Sequence, residues 1–322
     1  MLRRLLPDPF VLALLAVLAL ATLLPVEGRG ASYVSWLATI AILLLFFFHG
    51  AKLSREAIVD GLRHWRLHLV ILASTFIMFP LLALLLSRLL PGIMPLPLWI
   101  GILYLAALPS TVQSSIAFTS MAGGNVPAAI AAASASQVLG VFLTPVLVGL
   151  LAGAQGASMP ISGIGAIIAQ ILLPFVLGHL MRPWIGAWVQ RHKGMIALTD
   201  RSAILISVYS AFSAAVVEGI WSRVPAPVLG TLVAVCAAIL AFALVFTWGA
   251  GRLAGFSRED RITVLFCGTK KSLVQGVPMA RVLFAGPDLG LILLPIMIFH
   301  QMQLMVCAWL ARRYLKGATN VR

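Results

Sequence analysis

The sequence predicts an all-α integral membrane protein of ten transmembrane helices, arranged as two inverted five-helix repeats. Three observations predict it. Hydrophobic residues make up 61% of the chain and charged residues 10%, with a mean hydropathy of +1.05, whereas soluble domains run near one half and one quarter. Apolar runs of the roughly 20 residues that a spanning helix needs recur along the whole length. Lys and Arg fall on alternate connections between those runs, as a fixed orientation in a bilayer requires.

Taken in order, the runs lie at about 9–26, 32–51, 67–90, 97–121, 126–153, 161–181, 198–220, 226–250, 260–284 and 289–311. The first has the charged head and apolar body of a signal peptide, but the spans that follow it make it a retained first helix. With the N-terminus placed in the cytoplasm, the inner side collects Arg3, Arg4, Lys52, Arg55, Arg63, Arg66, Arg182, Arg191, Lys193, Arg201, Arg252, Arg258, Arg261, Arg312, Arg313, Lys316 and Arg322. The outer side receives Arg29, Arg88 and Arg223, a ratio of seventeen to three that supports ten spans with both termini inside. The net charge of +14 is spread over these short loops and forms no single basic stripe, which argues against nucleic acid. Cys236, Cys267 and Cys307 sit singly in apolar runs and read as small core residues. Trp184, Trp188, Trp221 and Trp309 lie near span ends, where an aromatic belt is expected.

The chain divides into 1–155 and 156–322 around the small-residue loop GAQGASMPISG. Five spans per half is an odd number, so the second half is upside down relative to the first, the inverted repeat of many secondary transporters. Corresponding segments carry corresponding interruptions. Pro109, Ser110, Thr111 and Gln113 break the fourth, and Gly268, Thr269, Lys270 and Lys271 break the ninth. Freed backbone at membrane depth is tolerated only where protein or water satisfies it, so two matched breaks point to one shared site near the midplane.

The first polar stretch, Leu108 to Pro127, offers Ser110, Thr111, Gln113, Ser114 and Ser115 as oxygens for an ion or donors for a substrate. Gly123, Gly124, Asn125 and Pro127 read as a tight turn. The second, CGTKKSLVQGVPM, adds Thr269, Lys270, Lys271, Ser272 and Gln275. Its lysines follow Asp260 by about ten residues, roughly 15 Å along a helix, and a lysine at that depth costs roughly 2.5–3.5 kcal/mol, so at least one fills a site. Adjacent residues point about 100° apart, and both face a cavity only if the helix breaks there. Helix packing by small residues and snorkelling to the surface are the plainer readings of the two stretches.

All nine acidic residues, Asp8, Glu27, Glu56, Asp60, Asp200, Glu218, Glu259, Asp260 and Asp288, map to loops or helix ends. The lysines must then be offset by carbonyl ends of the broken helices, by loss of their protons, or by an anionic substrate. His300, beside Gln301 and Gln303, and His49 lie in spans, while His64, His68, His179 and His192 read as interfacial. Ser74, Thr75 and Pro80 place the third segment, and Gln301 and Gln303 the tenth, in the bundle interior. No HExxH, GxSxG or P-loop occurs, so no enzyme is expected.

Three motifs, FFFHGAKLSREAIVDGLRHWRLHLV, LPSTVQSSIAFTSMAGGNVPAAI and FCGTKKSLVQGVPMARVLF, together with the ten spans, make the chain resemble the bile acid:sodium symporter family in its bacterial branch, over essentially the whole length. The resemblance implies that helices four and nine cross at their breaks. It further implies a panel domain of spans one, two, six and seven, a core domain of the other six, and alternating access. The family's sodium-binding Ser-Asn pair is matched loosely by Ser114 and Ser115, its fifth-helix hydroxyls fall on or near Ala129, Ala133 and Ser134, and its third-helix glutamine on Thr75. Its ninth-helix glutamate is replaced by the Gly268 to Lys271 region. We therefore expect a lysine ammonium in the space of a sodium ion, which argues against sodium coupling; no other cofactor is expected, and Ser114 and Ser115 stay as the candidate ligands should sodium bind.

The expected function is secondary transport of a small organic anion, of steroid-acid or carboxylate type, across a bacterial inner membrane. The rivals are a non-transporting membrane regulator of another transport system and a passive channel. The expected partners are the substrate and the bilayer, and the oligomeric state is left open, a monomer being one option.

Overall fold

The structure, a computed structural model, describes residues 9–52, 64–154, 168–219, 222, 224–284, 286 and 288–319. Arg3, Arg4, Asp8, Arg55, Glu56, Asp60, Arg63, Trp221, Arg223, Arg322 and residues 155–167 lie outside the described residues. Among the described residues the chain is all helix, without a strand. In order the helices are α1 (Pro9–Leu23), α2 (Gly28–Lys52), α3 (Trp65–Leu89), α4 (Leu96–Ala107), α5 (Gln113–Met121), α6 (Val126–Gly153), α7 (Ile168–Arg191), α8 (Lys193–Val217), α9 (Ala226–Leu253), α10 (Arg258–Gly268), α11 (Leu273–Leu283) and α12 (Leu289–Thr319). Seven of these, α2, α3, α6, α7, α8, α9 and α12, are long and apolar enough to cross a membrane. The predicted fourth and ninth segments are each two short helices, α4 with α5 and α10 with α11, separated by 108–112 and 269–272.

Local chemistry sets the helix ends. Asn125 caps α6 by accepting from the Ala128 N–H at 3.1 Å, with Pro127 in the first turn, and the preceding Gly123 adopts φ +72° to reverse the chain. Ser257 caps α10 by accepting from the Asp260 N–H at 3.1 Å, and Glu259 and Asp260 place negative charge at the positive end of that helix. Within α3, residues Ser74–Met78 form a single π turn, which loosens the regular backbone ladder at that point.

Two expectations are corrected. α7 runs on to Arg191 and α8 begins at Lys193, so Arg182, Arg191, Lys193 and Arg201 lie on helices and the connection shrinks to His192. The reason is that a helix continues past its apolar stretch wherever polar residues still form good backbone bonds. Asp200 is likewise the eighth residue of α8 and only 8% exposed, where the sequence placed it in a loop or at a helix end. It is held there by Lys52, whose Nζ donates to Oδ2 at 2.8 Å, with His49 Nδ1 at 3.9 Å from Oδ1. His68 is buried in α3, and neither ring nitrogen has a hydrogen-bond partner. The three cysteines are buried thiols, as expected of core residues.

The chain forms two compact units. One comprises Met1–Lys52, Pro160–Pro225 and Val277–Leu293, and the other Leu53–Met159, Ala226–Gly276 and Leu294–Arg322. The first unit is built on the close approach of α2 and α7. A Cβ on Gly50 would strike the Phe175 carbonyl, and one on Gly178 would strike the Phe47 carbonyl, so each helix backbone packs where the other lacks a side chain. In the second unit, Leu67, Ile71, Ala128, Ala129, Ala132, Val264 and Cys267 make a core of small and branched residues among α3, α6 and α10. Arg281, in the first unit, donates to the Ser35 hydroxyl at 2.6 Å and to its carbonyl at 3.1 Å.

Gly50→Ala tests the close approach. In an unconstrained helix this change stabilises by about 1 kcal/mol, whereas here the backbone clash reverses the sign and destabilises by about 1–3 kcal/mol or more. The melting temperature of the purified protein is expected to fall, and an unchanged or higher value would show that α2 and α7 are not in backbone contact.

Candidate functional site

The site lies within the second unit, where the two interrupted segments meet backbone to backbone. The N–H of Ser272, in the 269–272 break, donates to the Pro109 carbonyl in the 108–112 break at 2.8 Å. In return the Ser110 hydroxyl donates to the Cys267 carbonyl at 2.6 Å. Each break therefore caps the other.

A helix that stops leaves its last carbonyls without helical partners, and a buried carbonyl without a partner is costly. Here every carbonyl from Ala106 to Ser110 is matched. Lys271 Nζ donates to Ala106 at 2.7 Å and to Leu108 at 2.8 Å, and the Thr144 hydroxyl donates to Ala107 at 2.9 Å. Ser272 serves Pro109, and Gln137 Nε2 donates to Ser110 at 2.5 Å. The backbone of Lys271 is held in the same manner by the Gln303 amide, which accepts from its N–H and donates to its carbonyl, both at 2.9 Å. Gln303 Nε2 lies 3.0 Å from His300 Nδ1, which ties His300 to the same break.

The two lysines have opposite surroundings, although both are 0% exposed. Lys271 Nζ makes its third bond to the Thr75 carbonyl, 2.7 Å away in the π turn of α3, and stands 4.3 Å from the centroid of the Phe79 ring. Lys270 Nζ has no hydrogen-bond acceptor among the described residues. It sits 3.9 Å over the Phe118 ring and 5.8 Å from that of Phe266, an aromatic contact that compensates a buried charge only in part.

The remaining predicted residues divide into those the structure gathers and those it does not. Thr111 Oγ1 lies 2.8 Å from Ser114 Oγ and 2.9 Å from Ser115 Oγ, and Ser115 is 3.5 Å from Ser110 Oγ, so the hydroxyls at the start of α5 bond to one another. Gln275 Nε2 donates to the Gln137 carbonyl at 3.2 Å, and its Oε1 is buried without a donor. Thr269 and Thr75 return their hydroxyls to Leu265 and Ile71, one turn back on their own helices. Gln113 is exposed and Ser134 half-buried. Sequence reasoning missed Ser136, whose hydroxyl accepts from the Ser110 N–H at 2.9 Å, together with Gln137, Thr144 and Tyr104, which donates to the Gly276 carbonyl. A polar amide within the apolar run AAASASQVLG was a usable signal for Gln137. The rings of Phe79 and Phe118 carried none.

Comparison with known proteins bears on what such a site serves. The sequence profile of the SBF-like CPA transporter family matches residues 8–316. The chain belongs to this family. It is 56% identical over 314 residues to protein PA2026 of Pseudomonas aeruginosa, covering 97% of this chain and 94% of that one. It is 53% identical over 315 residues to YfeH of Escherichia coli strain K12, which carries the provisional name of a symporter, covering 98% and 95%. It is also 30% identical over 272 residues to sodium/bile acid cotransporter 7 of Rattus norvegicus, covering 83% and 79%. The chain is accordingly a multi-pass membrane transporter of the bile acid:sodium symporter kind.

At the positions where the resemblance implies sodium ligands, side-chain oxygens are few or already hydrogen-bonded. Ala129 and Ala133 offer no oxygen, the Thr75 hydroxyl is turned to its own helix, and the Ser114 and Ser115 hydroxyls are engaged with Thr111. At the ninth-segment break the charged groups are lysines, and one of them already takes three carbonyl oxygens.

The accounting of carbonyls makes Gln303 a sharp probe. Gln303→Leu leaves the N–H and C=O of Lys271 buried and unpaired, at about 1–3 kcal/mol each. Thermal unfolding in detergent is expected at a clearly lower temperature than the wild type, with Gln301→Leu, on the same helix but outside this contact, near wild type.

Proposed function

We propose that the protein is a secondary active transporter that moves a small organic anion across a bacterial inner membrane by alternating access, without a free sodium ion. In this reading the ten predicted spans form two inverted repeats, 1–155 and 156–322, with both termini in the cytoplasm, and α4–α5 and α10–α11 are the crossing broken helices. The first compact unit then corresponds to the panel domain and the second to the core domain. The single observation that carries the reading is the mutual capping of the two breaks, Ser272 to Pro109 and Ser110 to Cys267. Discontinuous helices paired in this way are the usual framework of a midplane transport site.

The charge of the site argues for an anion. Among the described residues of the two breaks and their partners there is no carboxylate, and the Lys270 amine is buried without an acceptor. An anionic group that reaches Lys270 during the transport cycle gains a charge-assisted bond where the empty state has only a ring face. The names of the sodium/bile acid cotransporter relatives place steroid acids and carboxylates first among the anions to test.

Uptake by the purified protein in liposomes tests this directly. Labelled carboxylates and steroid acids are expected to accumulate when a gradient is imposed, and to do so equally when sodium is replaced by choline. Lys270→Gln is expected to lower uptake at least tenfold while the protein still folds. Failure to move any anion, or a steep sodium dependence of whatever uptake occurs, would overturn the proposal.

A further inference from the structure

The three oxygens around Lys271 Nζ come from three separate backbone positions: Thr75 in the π turn of α3, Ala106 in the last turn of α4, and Leu108 just beyond its end. Carbonyls rarely converge without a positive charge among them, because their negative ends repel one another. Their number is informative. A primary ammonium has three N–H donors and no acceptor, so three carbonyls at 2.7, 2.7 and 2.8 Å match its full complement. A neutral amine would offer two donors and turn a lone pair toward the third oxygen. The Phe79 ring, 4.3 Å from Nζ, adds a fourth group suited to a cation. Carbonyl oxygens are also the ligands that take alkali cations out of water in protein sites.

We infer that the carbonyls of Thr75, Ala106 and Leu108 form a monovalent-cation site whose occupant is the tethered ammonium of Lys271, so that removing the side chain opens the site to a free cation. The inference deepens the proposal of sodium-independent transport and rests on it for its functional meaning, while its structural content concerns binding alone. The tether explains why both features occur in one place. A diffusible ion would have to be held by oxygens and a counter-charge, whereas an ammonium carried on the chain is present in every molecule and pays no binding entropy. Lys270 serves as the internal contrast. It is the neighbouring residue, equally buried, and its Nζ has no hydrogen-bond acceptor among the described residues. The two lysines therefore make opposite forecasts for the same experiment.

The experiment is chemical rescue of stability. Lys271→Ala removes the ammonium and most of its alkyl stem, leaving the three carbonyls and a channel leading to them. The variant is produced and purified in a series of buffers at equal ionic strength containing choline, sodium, potassium, methylammonium, ethylammonium or propylammonium chloride. In each buffer the yield of folded monodisperse protein and its melting temperature are measured. In choline the variant is expected to melt well below wild type. Small primary ammonium ions, and to a lesser extent sodium or potassium, are expected to raise the melting temperature with the logarithm of their concentration, as a ligand that binds the folded state does. Wild type and Lys270→Ala are expected to show no difference among the salts. Lys271→Met, which fills the channel with an apolar chain, is expected to be destabilised and not rescued.

If Lys271→Ala gives no folded protein in any buffer, or is rescued equally by choline, the cation site does not exist. If Lys270→Ala responds to the salts as strongly as Lys271→Ala, the effect is not specific to the three carbonyls and the inference also falls. Liposome uptake by the wild type reports separately on transport. Rescue without wild-type uptake leaves the site standing and removes the transport reading, and uptake without rescue does the reverse.

Discussion

A helix that stops inside a membrane strands several backbone groups where no water can reach them, and this chain stops two helices in the same place. Everything near the site follows from how those groups are satisfied. Pro109 cannot donate and bends the chain out of α4, so the carbonyls of 106–110 must find donors from other elements. The donors come from four residues on two stretches, Lys271 and Ser272 in the other break and Thr144 and Gln137 on α6, while Ser110 in return serves the Cys267 carbonyl. None of these residues has its place for its own sake. Each is a response to a carbonyl, and the set is complete for that stretch because a buried carbonyl left over costs about 1–3 kcal/mol.

The same constraint decides what the sequence revealed. The breaks were legible, because Pro109 and the lysine pair are local anomalies in apolar runs, and the Gly123 to Pro127 turn was legible from its residue types. The two lysines could be placed at depth but not told apart. Their difference lies in the π turn of α3, nearly 200 residues upstream in sequence, which brings the Thr75 carbonyl to Lys271 and nothing comparable to Lys270. A π turn leaves little trace in composition, since STFIM is an ordinary helical string. The partners on α6 were missed for a related reason. The family resemblance pointed to Ala129, Ala133 and Ser134, while the groups that reach the break are Ser136 and Gln137, a few residues further along the same helix.

The first unit solves a different problem by different means. Between α2 and α7 the chain uses glycine at Gly50 and Gly178, so that two backbones approach where side chains would hold them apart. At the end of α2 it admits charge in compensated form, with Asp200 of α8 between Lys52 and His49. That ion pair is partly exposed at Lys52, consistent with a position where long side chains still reach polar surroundings. Asp200 was expected in a loop or at a helix end from its place at the start of the predicted span 198–220. The structure instead places it two turns into the helix and pairs it there.

The pairing of two adjacent lysines with unlike surroundings bears on mechanism more than either lysine does alone. A fixed charge that is fully bonded stabilises one arrangement of the breaks and has little reason to change during a transport cycle. A charge with no acceptor is in the opposite position, because any anion that reaches it improves its state. Placing both on consecutive residues means that an event at Lys270 is felt at once by the linker that Lys271 and Gln303 hold in register. A ligand biases a conformational equilibrium only by as much as it prefers one state over the other. On the proposed reading the preference has a location: the empty state leaves Lys270 over a ring, and an anion would give it a partner, one residue from the contacts that join the two broken helices.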